Sequence, residues 1–246
     1  MLYNDLEQGI YILHENEEWL PLFREAFKRA GLNFGEIDLS KGAINLDKEP
    51  PKGVFWSRMS ASSHTRGHAF AKDYARAIFA WLARYNRRIV NPLSVLELEV
   101  SKVAQYLALN SAGFRTPKTL AAFGKADLRE LARTLQTPFI IKHNQGGKGL
   151  GVRLFESFAE FEKCLNSSEF EQSADGIYLA QEYVKSKAPF ITRIEFIAGK
   201  FHYAVRVDTS DGGFELCPAE ACEIERKPKL AAAACDIGAK FSLRDE

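Results

Sequence analysis

The string FIIKHNQGGKGLGV, residues 139–152, constrains this chain more than any other. An apolar run ends at Lys142, a loop follows with Gly146, Gly147, Gly149 and Gly151, and a strand-like run resumes. Glycines let backbone approach an anion closely and aim successive N–H groups at it. Lys142 at the strand end and Lys148 in the loop add positive charge, so a phosphate is the natural ligand. The string is not the nucleotide loop GxxxxGK[ST], because neither Ser nor Thr follows Lys148. It also fails the dinucleotide fingerprint, which needs a helix where a strand follows here. A flexible hairpin with a solvated lysine accounts for the same residues.

The first 92 residues set the fold class. Strand-like runs at 9–13, 34–39, 54–56 and 88–90 alternate with helical patterns, one through Leu20, Phe23, Phe27 and Ala30, another through Phe70, Tyr74, Ile78, Trp81, Leu82 and Tyr85. That alternation predicts a small α/β unit with a parallel sheet over 1–92. Beyond it, helices are expected over 96–110, 127–135 and up to residue 165. The last of these opens on Ser157 and Glu160 at capping-box spacing. Strands are expected over 119–123, 139–142, 151–155, 177–184, 191–197 and 201–207.

Composition excludes rather than selects. With 246 residues and a formal net charge of +1, no global field favours nucleic acid or membrane. No run approaches the roughly 20 apolar residues of a membrane span, and MLYNDLEQGIYIL lacks the basic start of a signal peptide. Basic residues are dispersed, without the aromatic-basic motif of a nucleic-acid binder. Cys164, Cys217, Cys222 and Cys235 are too irregular for a disulfide framework, and Cys217 and Cys222 have no histidine nearby for zinc. They read as free thiols of a reducing, cytoplasmic compartment.

Three further segments carry candidates. A two-residue turn with Gly199 first would pair Phe196 with Tyr203, Ile194 with Val205, and Arg193 with Arg206. Two facing arginines should repel; Glu195 can relieve part of that and a bound polyanion more, while two arginines splaying into water account for the same residues. LAQEYV, residues 179–184, embeds Gln181 and Glu182 in an apolar run that an edge strand explains. SRMSASSHTRGH, residues 57–68, follows a strand and precedes a helix, where α/β sheets place ligands. Arg58, Ser60, His64 and Arg66 are its substrate-facing candidates. His64 and His68 have no acid or cysteine partner in view, and no nucleophile-elbow pattern surrounds any serine.

Together these strings resemble the ATP-grasp superfamily, and within it the RimK-type α-L-glutamate ligases. VFWSRMSASSHTRG is similar to the loop closing that family's N-terminal domain. NPLSVLELEVSKVAQYLALNSAGFRTPKT is similar to its lysine-bearing helix. PFIIKHNQGGKGLGV, LAQEYV and TRIEFIAGKFHYAVRV resemble, in the right order, its nucleotide-covering hairpin, its adenine connection and its two-arginine hairpin.

The resemblance implies a parallel α/β pre-ATP-grasp domain at 1–92 and an ATP-grasp domain at 93–246, its nucleotide lid about 115–184 and its second lobe starting at 185. It implies that Lys102 and Lys142 contact ATP phosphates and that Gln145, Gly146, Gly147, Lys148 and Gly149 form the lid. Glu182 and Val184 would hold adenine through their backbone, beside Gln181 and Tyr183. Arg206, with Arg193, would stabilise an acyl-phosphate that an amine displaces. Mg²⁺ is implied as a cofactor, a small-molecule or peptide carboxylate and an amine as partners, and a homo-oligomer is compatible.

Two departures from the family pattern stand out. Ile191 and Thr192 occupy the place of an acidic residue near the ribose. The Asp … Glu-x-Asn metal motif is absent: FELCPAEACEIE offers Glu215, Glu220, Glu223 and Glu225 in another context. The chain therefore reads as a C-terminally incomplete ATP-grasp fold, with a silent nucleotide-binding sensor as the alternative.

Overall fold

The computed structural model describes residues 2–147, 149 and 151–209. Its first sheet contains β1 (Gly9–His14), β2 (Gly35–Asp38), β3 (Gly53–Ser57) and β4 (Arg88–Val90) in the order β2-β1-β3-β4, every pair parallel. The helices α1 (Leu20–Arg29) and α2 (Ala71–Arg84) make the connections that the alternation predicts. Buried Ala71, Ala75, Ile78, Phe79 and Leu82 recur at helical spacing along α2 and pack with Tyr11, Leu13, Ile37 and Phe55. Tyr11 and Phe55 stack at 4.8 Å between ring centres. The chain runs from β1 to one side and later emerges on the other as β3. The C-terminal ends of these two neighbours therefore form the switch point at which open α/β sheets bind ligands.

The single helix expected over 96–110 is two, α3 (Leu93–Val100) and α4 (Lys102–Ser111). The break has no Pro or Gly to announce it. Ser101 is extended (φ −139°, ψ 111°), and its hydroxyl accepts the Ala104 N–H at 3.2 Å and donates to Asn144 Oδ1 at 3.2 Å. A contact from 43 residues away helps set this boundary.

The second sheet is antiparallel, ordered β5-β8-β6-β7, from β5 (Thr119–Phe123), β6 (Phe139–His143), β7 (Arg153–Phe155) and β8 (Ile177–Glu182). One face buries Phe139, Ile141, Phe155, Tyr178 and Ala180 beneath α5 (Lys125–Ala132) and α6 (Phe158–Leu165). Phe161 of α6 meets Phe139 and Phe155 edge-on at 5.6 and 5.3 Å. Ser157 caps α6 as expected, accepting the Glu160 N–H at 3.2 Å, and Glu160 reaches back to the Glu156 N–H at 3.1 Å. The expectation of an edge strand at 179–184 is overturned. β8 lies between β5 and β6, and it ends at Glu182, leaving Tyr183 and Val184 beyond it.

The strands β9 (Phe190–Ile197) and β10 (Lys200–Asp208) pair as a separate antiparallel hairpin. Its turn residues are Ala198 and Gly199, both left-handed (φ 51° and 75°), the arrangement whose twist matches the flanking strands. The expected pairing is therefore wrong by one residue at the turn, and a bulge between Phe201 and Tyr203 shifts it again. Phe196 faces Phe201, Ile194 faces Ala204, Arg193 faces Val205, and Arg206 faces Thr192. Arg193 and Arg206 consequently point to opposite faces, and the inferred repulsion between them does not exist.

Among the described residues, no helix is long and apolar enough to cross a membrane. Lys148, Cys217, Cys222, Cys235 and the carboxylates Glu215, Glu220, Glu223 and Glu225 lie outside the described residues.

Candidate functional site

Strand alternation divides the second sheet into an apolar face and a polar one. Opposite the α5–α6 core, register places Lys142 beside Leu179, and Gln181 between Thr119 and Ile140. Lys142 is buried (8% exposed), yet among the described residues it has no carboxylate partner. Its ammonium donates to Gln181 Oε1 at 2.9 Å and to the Tyr106 hydroxyl of α4 at 2.6 Å. Gln181 is fixed in turn by donating from Nε2 to Thr119 Oγ1 at 2.6 Å. A cavity of about 460 Å³ opens on the same face, lined by Val103, Tyr106, Lys118, Thr119, Ala121 and Leu179.

Lys102 enters from the first turn of α4. Its ammonium donates to the backbone carbonyls of Gly146 at 2.8 Å and Asn144 at 3.3 Å. Burial, reinforced by the charge of Lys142, pushes its pKa down to about 8. Two lysines from separate stretches thus act on one another, and among the described residues neither forms an ion pair, with Asp175 and Glu99 reaching Lys102 only through longer-range electrostatics. A polyanion is the ligand that such a pair lacks.

Asn144 holds the arrangement together. Its side-chain oxygen accepts the Val103 N–H at 2.9 Å as well as the Ser101 hydroxyl, and its Nδ2 donates to Asp175 at 2.7 Å. The end of β6 is thereby fixed to the start of α4. Next to it, Gln145 is buried rather than lifted over a ligand. It donates to the Ala61 carbonyl at 3.1 Å and accepts from the Lys72 ammonium, joining the glycine loop to the 57–68 loop and α2. Gly151 (φ 70°) is required where it is, since a Cβ there would come within 2.9 Å of the His143 ring.

The remaining candidates fall in several places. Glu182 caps the connection after β8: its carboxylate accepts the Lys118 N–H at 2.9 Å, and its own N–H donates to the Lys118 carbonyl at 3.0 Å. Val184 is exposed. Arg206 stacks on Phe190 at 4.2 Å, and no described contact joins it to Lys102 or Lys142. Arg193 lies 3.6 Å from Glu195. In the 57–68 loop, Ser60 bonds Ser62 at 2.9 Å and His64 bonds the Ala61 carbonyl at 3.2 Å. Arg66 grips the fully buried carboxylate of Glu15 through two donors, and His68 meets the same group at 3.3 Å. His68 therefore does have an acid partner. Glu15 lies 53 residues upstream, too far for the local pattern to reveal it.

Sequence reasoning missed Tyr106, Asn144 and Glu15. The first sits one helical turn beyond Lys102 and the second two residues beyond Lys142, so proximity was their only available signal. Among the described residues, one grouping has metal-ligand chemistry: His14, Glu17 and Glu36. Arg24 already holds both of its carboxylates, at 2.8 and 2.7 Å.

No protein-family model matches the sequence, and no curated protein matches it. Solved structures do. A RimK-domain ATP-grasp protein from Sphaerobacter thermophilus superposes with a TM-score of 0.57 at 18% identity, over 93% of this chain and 80% of that one. The D-cycloserine synthetase DcsG gives 0.57 at 17% identity, over 94% and 80%. The ATP-grasp ligase PsnB, complexed with a minimal precursor, gives 0.52 at 16% identity, over 82% and 72%. The fold of this chain is the ATP-grasp fold, shared with a RimK-domain member of that superfamily.

Proposed function

We propose that this chain binds ATP at Lys102 and Lys142 and serves a carboxylate–amine ligase reaction. The observation that carries the reading is the convergence of two lysines, one of them buried, neither of which forms an ion pair among the described residues. Structures of the same fold are named as a ligase and a synthetase, and PsnB has been solved with Mg and ADP. In such a reaction a substrate carboxylate oxygen attacks the γ-phosphorus of ATP and ADP leaves. An amine nitrogen then attacks the acyl carbon of the acyl-phosphate, inorganic phosphate leaves, and the amine gives up a proton. The two ammonium groups would neutralise the phosphates in a preorganised site. Tyr106 and Gln181 hold Lys142, while the Asn144 and Gly146 carbonyls hold Lys102. The described residues place no carboxylate cluster suited to Mg²⁺ beside these lysines, so no step is assigned to the metal. ADP release that requires both an added acid and an added amine tests the reaction; ATP binding without such turnover would favour the sensor.

The lowered pKa of Lys102 gives a separate test. Because its pKa lies near 8 in the ligand-free chain, about half of its molecules are neutral at pH 8. A bound polyphosphate favours the ammonium, so binding at pH 8 takes up protons and affinity falls as pH rises above 8. Calorimetry in buffers of differing ionisation enthalpy measures the uptake, and Lys102→Met should remove it. The same shift acts on stability in the opposite sense. Below pH 8 the chain bears the cost of a buried ammonium, and between pH 8 and the unfolded-state value of 10.5 the cost is lifted.

A further inference from the structure

We propose that His14, Glu17 and Glu36 form a zinc site beside the outer strand pair of the first sheet, where Arg24 is the cation that zinc displaces. One ligand atom from each of the three residues lies within 4.8 Å of the other two. The sheet brings two of them together. Ile12 pairs with Glu36 and His14 with Asp38, so His14 and Glu36 share one face of neighbouring parallel strands. Glu17 arrives from the helical turn Glu17–Trp19, just after β1.

Two surface glutamates alone would carry nothing, and the histidine sets this group apart. His14 is 3% exposed, and its Nδ1 is buried with no hydrogen-bond partner among the described residues. A neutral imidazole has one donor and one acceptor nitrogen, and burying either without a partner is costly. Burial lowers the pKa of the ring, which keeps it neutral and its lone pair available at pH 7.

The surrounding charges favour a divalent ion. The carboxylates of Asp38, Glu36 and Glu17 act on the ring against the single guanidinium of Arg24. Arg24 donates to Glu36 at 2.7 and 2.8 Å and lies 2.8 Å from Glu17, while Lys41 offsets Asp38 at 3.0 Å. Three carboxylates against two cations leave one negative charge, and exchanging the guanidinium for a divalent ion removes it. The Arg24 side chain is 43% exposed on α1, and ion pairs so placed give way at little cost. Zinc takes nitrogen and carboxylate ligands together, with water in a fourth position, whereas magnesium and calcium prefer oxygen alone. Ligands on one tetrahedral zinc lie about 3.4 Å apart, so the glutamates must close by about 1 Å. The ion would fix the turn from which Glu15 reaches Arg66 and His68. The site is structural and independent of the nucleotide reading.

The test is titration of the full chain, without nucleotide, with zinc by calorimetry and with cobalt(II) by visible absorption. Zinc is expected to bind here and to raise the melting temperature. Cobalt in its place should give four-coordinate bands without thiolate charge transfer. Glu17→Gln, at an exposed position that leaves the fold intact, should weaken zinc about tenfold or more, and His14→Gln about a hundredfold. Arg24→Gln removes the competing cation and should tighten zinc about three- to tenfold. Zinc bound equally well by Glu17→Gln is adventitious and overturns the assignment. So do absence of zinc binding, a cobalt spectrum of thiolate bands alone, equal affinity for magnesium, or weaker zinc binding in Arg24→Gln.

Discussion

Lys142→Met binds ATP about a hundredfold more weakly than the wild-type chain, while its ligand-free thermal stability changes little. The two halves have different causes. In the complex, a buried ammonium facing phosphate replaces solvent that neither charge can recover. Truncating such a group costs about 2–5 kcal/mol, and a hundredfold, about 2.8 kcal/mol, sits in the lower half of that range. Without ligand the same ammonium is a liability. It is 8% exposed and offset by the neutral oxygens of Tyr106 and Gln181 and by the face of the Tyr106 ring, 4.9 Å away. Methionine fills similar volume without the desolvation cost, at the loss of two hydrogen bonds, so the net change should stay within about 1 kcal/mol. Calorimetry with ATP and a melt without it measure the pair of effects. Wild-type affinity in Lys142→Met would end the nucleotide reading.

What the sequence made legible follows from the range over which each signal acts. The alternating strands and helices of the first sheet, the cap at Ser157 and the strand that delivers Lys142 are local, set by spacing, caps and glycine. They were readable, down to the parallel character of the sheet. The failures are of another kind. Ser101 breaks a helix with the help of Asn144, His68 finds Glu15 in a different strand connection, and β8 is interior because two other strands flank it. None of those partners lies within the window that a periodicity argument sees. The hairpin error is more instructive, since the turn was correctly placed to within a residue. With a side-chain period of two, a slip of one residue exchanges the faces, and Arg193 and Arg206 part company. Arg206, assigned a role beside the phosphates on resemblance, therefore rests on weaker ground than the two lysines.

Asn144→Ala should be the most destabilising single change at the site, lowering stability by about 2–4 kcal/mol. Asn144 is 4% exposed, and its side chain serves three partners: the Ser101 hydroxyl, the Val103 N–H and the Asp175 carboxylate. Alanine leaves the Val103 donor without its acceptor in the first turn of α4, where no intrahelical carbonyl can replace it. It also strips Asp175 of a hydrogen bond from the amide. For a chain of this length the melting temperature should fall by about 5–12 °C. Ser101→Ala is the informative control. It removes a helix cap, worth about 1 kcal/mol, but leaves Asn144 bonded to Val103 and Asp175. Asn144→Ala should also weaken ATP binding, because Lys102 is aimed by the helix start that Asn144 secures. If Asn144→Ala melts no lower than Ser101→Ala, the β6 end does not fix α4, and the convergence of the two lysines must have another support.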